Sequence, residues 1–193
     1  MPSFADAVAE WVALDPDQLD RLRSVFAERS ADAREPVALP GAPAHEVLFV
    51  RRGLLRFYYP ADDGRQSNKA FVAEGEFAGA VAAAQLGVSL LYGIEALEPT
   101  DYLAAPYADV VALMDADPAF ERLGRRLAET ILARKERRTR SLLLQTATER
   151  YLDLAAARPD LIQRVPQYHL ASYLGVTDVH LSRLRRELAA GSE

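Results

Sequence analysis

The 24 residues from Pro166 to Ala189 constrain this chain more than any other segment, because they read as two short helices joined by a sharp turn. Leu170, Ala171 and Leu174, at i, i+1 and i+4, place one apolar face on the first helix. Gly175 stands where the chain must reverse, and glycine adopts the left-handed backbone of such a turn without a Cβ clash. Thr177 is placed to cap the next helix, whose Leu181, Leu184 and Leu188 fall within about 60° of one another on the helical wheel. Two helices on a short glycine-containing turn make a helix-turn-helix, the motif that lays its second helix in the major groove of double-stranded DNA.

Opposite its leucines, that second helix shows Val179, Ser182, Arg183 and Arg186. Arginine pairs bidentately with guanine or grips phosphate, and valine touches a thymine methyl, so these four are candidate base contacts. Gln167, Tyr168, Thr177 and Arg185 are candidate phosphate contacts, and His180 is a further candidate for DNA contact. Asp178 suits the positive end of the helix but is unwelcome beside a phosphate. The alternative is an ordinary helical hairpin with a solvated arginine face.

The charge distribution bears on that choice. The net charge of −5 is unevenly divided: residues 1–133 carry 12 basic and 21 acidic side chains, whereas residues 134–188 carry 11 and 6. An acidic body joined to a basic C-terminal third is the asymmetry expected where one end alone meets nucleic acid. A hydrophobic content of 50% over 193 residues implies a globular chain with a sizeable core. The absence of cysteine excludes a disulfide framework, a thiol nucleophile and a thiolate metal site. The first residues do not form a basic segment followed by an apolar one, and no apolar run is long enough to span a bilayer, so a cytoplasmic protein without a membrane partner is expected. His45, His169 and His180 are too few and too scattered for a metal site, with His169 expected on the exposed face of its helix. Ser89, Ser141 and Ser182 lack a nucleophile-elbow setting, and no glycine-rich phosphate loop is present; neither catalytic residues nor a cofactor are expected.

Upstream, helical patterns cover 4–12 and 16–29, the second with Asp15 as cap, Pro16 at the first position and a stripe of Leu19, Leu22, Val25 and Phe26. From about 34 to 105 the texture changes to short apolar runs, such as 46–50, 54–59 and 67–72, divided by turns at 39–43, 52–53 and 61–65. That spacing predicts an antiparallel sandwich or barrel, with a short alanine-rich helix within 77–87 and strands near 88–97 and 100–105. Tyr58, Tyr59 and Tyr92 read as sheet-packing residues. After Asp117-Pro118, Phe120, Leu123, Leu127, Ile131 and Leu142 follow helical spacing and make a seam suited to an identical partner helix, turning polar at Arg134 and Arg138. Packing against the chain's own β domain is the other use of that stripe. Thr146 and Glu149 form a capping box, which marks a hinge near 144–146 and a new helix at 147–157 with Tyr151, Leu152 and Ala155 inward. The chain therefore divides at 1–116, 117–143 and 144–193.

The order of β-roll, long helix, hinge and helix-turn-helix resembles the Crp/Fnr family of cyclic-nucleotide-regulated bacterial transcription factors. The likeness runs from about residue 35 onward and rests on Val50–Tyr59, the Asp63-Gly64 turn, Glu74–Gly79, and a tail comprising Glu149–Leu152, Arg164–Gln167, Leu170–Val176 and Leu181–Arg185. The tail is similar to a compact subgroup that lacks much of the wing. The resemblance implies an α+β fold: an N-terminal antiparallel β-roll of the cyclic-nucleotide-binding kind with flanking helices, a long dimerisation helix and an all-α C-terminal domain. It also implies a homodimeric regulator that binds a near-palindromic DNA site. The rival expectation is a ligand- or protein-binding roll whose helix-turn-helix no longer binds DNA, as the acidic body and Val179 would suit.

Two departures from the family pattern stand out. Nucleotide-binding members open a short cassette with Gly-Glu and follow it, about ten residues later, with Arg-Ser or Arg-Thr. The acid holds the ribose and the arginine holds the cyclic phosphate. Here Gly79 remains, Ala80 replaces the acid, and Leu90-Leu91 occupy the region of the basic pair. A phosphate among Ala80, Val81, Ala82, Leu86, Val88, Leu90 and Leu91 would be an unpaired buried charge, which costs several kcal/mol. Gly79, Ala80, Val81, Leu90, Leu91 and Tyr92 thus line either a pocket for an apolar effector or a cavity filled by its own side chains; the lack of converging polar groups favours filling. The second departure is Val179, which stands where the family commonly places a glutamate, with Arg183 kept four residues on. The preferred half-site is therefore expected to differ from the family's best-known one. Calorimetry should show no binding of cyclic AMP or cyclic GMP at micromolar affinity; a micromolar or tighter dissociation constant for either would overturn this expectation.

Overall fold

The computed structural model describes residues 3–43, 46–79 and 81–190. The chain opens with α1 (Phe4–Ala9) and α2 (Pro16–Ser24), each started by a reciprocal capping box, Ser3 with Asp6 and Asp15 with Gln18. The strands are β1 (Ala27–Ala31), β2 (Pro36–Ala38), β3 (Glu46–Arg52), β4 (Leu54–Pro60), β5 (Gln66–Ala73) and β6 (Phe77–Gly79), followed after α3 (Val81–Leu86) by β7 (Gly93–Ala96) and β8 (Thr100–Pro106). They form two antiparallel four-stranded sheets, ordered β1-β8-β3-β6 and β2-β7-β4-β5. The helices α4 (Tyr107–Ala116), α5 (Pro118–Leu144), α6 (Ala147–Ala157), α7 (Pro159–Arg164), α8 (Gln167–Leu174) and α9 (Asp178–Ala190) complete the chain.

Both sheets bury both faces, which explains why several strands read as apolar runs rather than as alternating patterns. Between the sheets lie Leu48, Val50, Leu55, Phe57, Val72, Ile94, Tyr102 and Ala104. The intervening Phe49, Leu103 and Ala105 point out of the first sheet into a core made with α1, α2 and α5. Leu54, Phe71 and Ala73 point out of the second sheet and meet Leu161, Val165, Leu170, Ala171, Leu174 and Leu181 of the C-terminal helices. The β3–β4 connection is tight enough to need glycine. Gly53 has φ +98°, and a Cβ there would lie 2.4 Å from the Thr100 hydroxyl.

Some expected elements are shorter or placed differently. The helical pattern over 16–29 ends at Ser24, and Ala27–Ala31 pair with β8 instead. The backbone bonds offered by the open edge of β8 outweigh the weak helical preference of that segment. The strand near 88–97 is confined to Gly93–Ala96. On α6, Tyr151 and Leu154 pack inward, whereas Leu152 is exposed.

The seam expected on the long helix is mostly taken by the chain itself. Phe120 and Leu123 are buried against α1, α2 and the first sheet, Leu127 packs against the same cluster, Ile131 is half-buried, and Arg134 pairs with Glu76 at 3.1 Å. An apolar helical stripe buries against the nearest apolar surface, and here that surface is Phe49, Leu103 and the N-terminal helices. The outward face of α5 instead carries Ala128, Leu132, Lys135, Thr139 and Leu142, again at three- and four-residue spacing. Phe120→Ala should cost ~3–5 kcal/mol of stability, since its side chain is buried in the core that joins α5 to the roll. Urea denaturation of the variant against the parent checks this.

Candidate nucleic-acid interface

The local geometry of the motif follows from its capping residues. Gly175 closes α8 in the left-handed conformation (φ 72°, ψ 34°), and its N–H bonds back to Ala171 and Ser172. The Thr177 hydroxyl accepts from the His180 N–H at 3.2 Å and caps α9. Leu181 and Leu184 are buried, and Leu188 is half-buried. That leaves Tyr168, Thr177, Val179, His180, Arg183 and Arg186 exposed around the start and outer face of α9, with Gln167, Ser182 and Arg185 half-buried. Val179, at 78% exposure, is an apolar side chain with nothing of its own chain to cover it.

Two of these residues have intramolecular roles that were not expected. The Gln167 amide donates to the Asp178 carboxylate at 2.7 Å and thereby ties the start of α8 to the start of α9. Arg183 pairs with Glu187 one turn along at 3.1 Å, an exposed pair that holds little free energy and releases easily to a phosphate or base.

His169 is buried, not on an exposed helix face, because α8 lies against β5. The Asn68 side-chain amide donates to the His169 carbonyl at 3.1 Å and lies 3.1 Å from its Nδ1. With Asn68 as donor, Nδ1 accepts and the ring proton sits on Nε2. Asn68 is itself held by Arg56, a buried arginine in β4 that also binds Glu95 and Gln66 and stacks on Tyr58. The Ser172 hydroxyl donates to the Gln66 carbonyl and accepts from the Asn68 N–H at 2.9 Å, so α8 bonds directly to β5 backbone.

Further contacts hold the same helix from other sides. Arg138 of α5 stacks on the Tyr173 ring at 4.1 Å and donates to the Tyr173 carbonyl, while Tyr173 also packs on Phe71 of β5. Arg150 of α6 donates to the carbonyls of Leu174 and Gln145, closing the ends of α8 and α5 together. At one end of the roll, Arg164 binds Glu74 and Glu98, and Arg158 and Arg134 share Glu76. Glu74 and Glu76, conspicuous in the sequence as part of a roll motif, thus anchor the C-terminal helices. The buried network of Arg56, Asn68, Ser172 and His169 was not anticipated; a single arginine among apolar residues of a strand was its one visible sign.

The cassette region is largely closed on itself. Leu90 and Tyr92 are buried in the inter-sheet core, and the Tyr92 hydroxyl donates to the Gly79 carbonyl at 3.4 Å. Leu91, expected to line a pocket, faces outward at 71% exposure. Alternation along the segment explains this: burying Leu90 and Tyr92 forces their neighbour out. Ala80, the side chain of Val81 and His45 lie outside the described residues. Among the described residues, no group of three or more His, Cys, Asp or Glu could hold a metal ion, and no helix is long and apolar enough to cross a membrane.

Residues 28–117 match the cyclic nucleotide-binding domain family. Among solved structures, FixK2 from Bradyrhizobium japonicum superimposes with a TM-score of 0.72 at 24% identity, covering 87% of this chain and 86% of that one. The c-di-GMP-responsive global regulator CLP from Xanthomonas campestris gives 0.71 at 21% identity over 92% and 93%. A transcriptional regulator of the crp/fnr family from Eubacterium rectale gives 0.70 at 14% identity over 92% and 85%. The chain has the Crp/Fnr fold. Comparison with curated proteins gives no match. The Crp/Fnr resemblance read from the residues therefore holds, as a fold, across roll, long helix and C-terminal helices.

His169 provides a pH test of the docked arrangement. Burial, reinforced by the nearby Arg56 charge, pushes its pKa down from 6.5 to about 4, with Glu95 opposing. Protonation would also place a donor at Nδ1 facing the Asn68 amide donor. The unfolded chain takes up this proton below about 6.5 and the folded chain does not, so stability is full above that pH and falls as the pH drops toward 4. The loss of unfolding free energy between pH 7.5 and pH 5 should be smaller in His169→Gln than in the parent, as measured by urea titration at both pH values.

Proposed function

We propose that this protein is a DNA-binding transcription regulator of the Crp/Fnr type that acts as a homodimer on a near-palindromic site. The observation that carries this reading is the state of α9: its leucines are buried while Val179, His180, Arg183 and Arg186 stand exposed on one side of a docked helix-turn-helix. In this reading Val179, Ser182, Arg183 and Arg186 read base edges, Gln167, Tyr168, Thr177 and Arg185 contact the backbone, and His180 is a further DNA contact. The working division of the chain is a sensor part at 1–116, a dimer helix at 117–143 and a DNA-binding part at 144–193. Two-fold symmetry sets the half-sites about one helical turn apart.

The dimer contact in this reading uses the outward face of α5, centred on Leu132 and Leu142, because Phe120 and Leu123 are spent on the chain's own core. The protein is cytoplasmic and non-enzymatic in this reading. Control by cyclic AMP is not expected, since Leu90 and Tyr92 fill the roll where a nucleotide would need room and a counter-charge. The same filling leaves little space for an apolar effector.

Arg183→Ala should cost ~1–3 kcal/mol on the best site and relax preference at one base pair, if this arginine reads a base. A uniform loss on all sequences would reassign it to phosphate. Binding to genomic fragments should fall steeply with log[salt], as counterion release requires. A flat salt response would instead favour a roll module whose helix-turn-helix has lost DNA binding.

A further inference from the structure

Helix α9 begins with an exposed acid. Asp178 is the first residue of the helix and the acidic side chain of its first turn, and it is exposed together with Thr177, Val179 and His180. The Gln167 Nε2 donates to its Oδ1 at 2.7 Å and lies 3.4 Å from its carbonyl oxygen. Among the described residues no other side chain bonds to Asp178, so Oδ2 is left to accept from outside the chain.

The partner that fixes this carboxylate does not neutralise it. A glutamine amide holds one oxygen in place and leaves the full negative charge, where a lysine or arginine would have cancelled it. The positive end of α9 steadies that charge. In the groove of a duplex such a group repels every phosphate and the electronegative edges of guanine (N7 and O6) and thymine (O4). It accepts from an amino group, and the major groove offers two kinds. The adenine N6 amino group stands beside the N7 acceptor, which suits an amide that both donates and accepts; the cytosine N4 amino group suits an acceptor alone. A fixed carboxylate therefore selects cytosine, by the bond it makes there and by its repulsion elsewhere.

We propose that Asp178 is a specificity-determining residue that accepts from the N4 amino group of a cytosine in each half-site, with Gln167 as its positioning residue. This role rests on the DNA-binding reading of α9 and deepens it. Asp178 precedes Val179 at the start of α9, the end of a recognition helix that reaches base edges. Gln167 holds Asp178 through its side chain and still has a donor for phosphate, because its backbone N–H, at the first position of α8, has no acceptor within the helix. Removing the carboxylate takes a negative charge from the groove face, so binding to unrelated sequences rises while discrimination falls.

Randomised duplexes are selected with the full chain as parent, Asp178→Ala, Asp178→Asn and Gln167→Met. The best parent site is then titrated with and without N4-methylcytosine, which removes the groove-facing amino hydrogen and still pairs with guanine. The parent should select cytosine at one position of each half-site. Asp178→Ala should lower that preference about tenfold and leave the other positions unchanged, and Asp178→Asn should shift it toward adenine. Gln167→Met should weaken the same preference and no other, which a general loosening of the turn would not do. N4-methylcytosine at that position should weaken the parent about tenfold and leave Asp178→Ala unaffected. The proposal is overturned if Asp178→Ala selects the same bases as the parent, if it loses affinity equally on all sequences, or if the parent is indifferent to the methyl group. Each of these outcomes leaves the regulator reading standing, whereas a parent that binds no DNA removes both.

Discussion

The arrangement depends most on the docking of α8 against the outer face of the β2-β7-β4-β5 sheet. Leu54, Phe71 and Ala73 present an apolar surface that the roll cannot cover alone, and Leu170, Ala171 and Leu174 present the matching face of α8. Burying both removes apolar area from water, the dominant favourable contribution in such an interface. The polar contacts then select one register from those the apolar faces would allow. Asn68, Ser172 and His169 satisfy one another only when α8 lies at this height on β5, and a slip of one residue would leave buried donors unpaired. Because α9 packs on α8 through Leu181, the position of the exposed arginines is inherited from that register.

The same docking divides labour among the charged residues. A large part of the basic C-terminal third is engaged within the chain: Arg134, Arg138, Arg150, Arg158 and Arg164 are held by its own acids or carbonyls. The charge split along the sequence therefore has two causes. Part of it joins the acidic end of the roll to the helices that follow, and part of it remains on α9. Only Arg183, Arg185 and Arg186 belong to the second group, and Arg183 is lightly held by Glu187.

Legibility in the sequence followed the range of the interaction. The turn at Gly175, the caps at Thr177 and Asp15, the capping box at Thr146, and the buried stripe of α9 each depend on residues a few positions apart, and all are present. The strands over 46–60 and 66–73 were visible as apolar runs between turns. The end of the helix read over 16–29 was misread because the strand character of Ala27–Ala31 comes from β8, about 70 residues later in the chain. The stripe on α5 was visible, but its partner was not. Phe120 and Leu123 carry no mark that distinguishes a second copy of the chain from Phe49 and Leu103. His169 and Asn68, 101 residues apart, gave no sign of each other.

By itself, the sequence determined which elements form and which faces of them are apolar, because capping, periodicity and turn chemistry act within a few residues. It also determined that the cassette region lacks an acid and a base, since residue type alone decides charge. Only the tertiary structure decided where each apolar face is spent: α5 inward on the roll, α8 on β5, Leu90 and Tyr92 in the inter-sheet core. The physical reason is that apolar burial is non-directional and takes whichever surface the fold brings near. The same proximity gave Asn68 a histidine to hold.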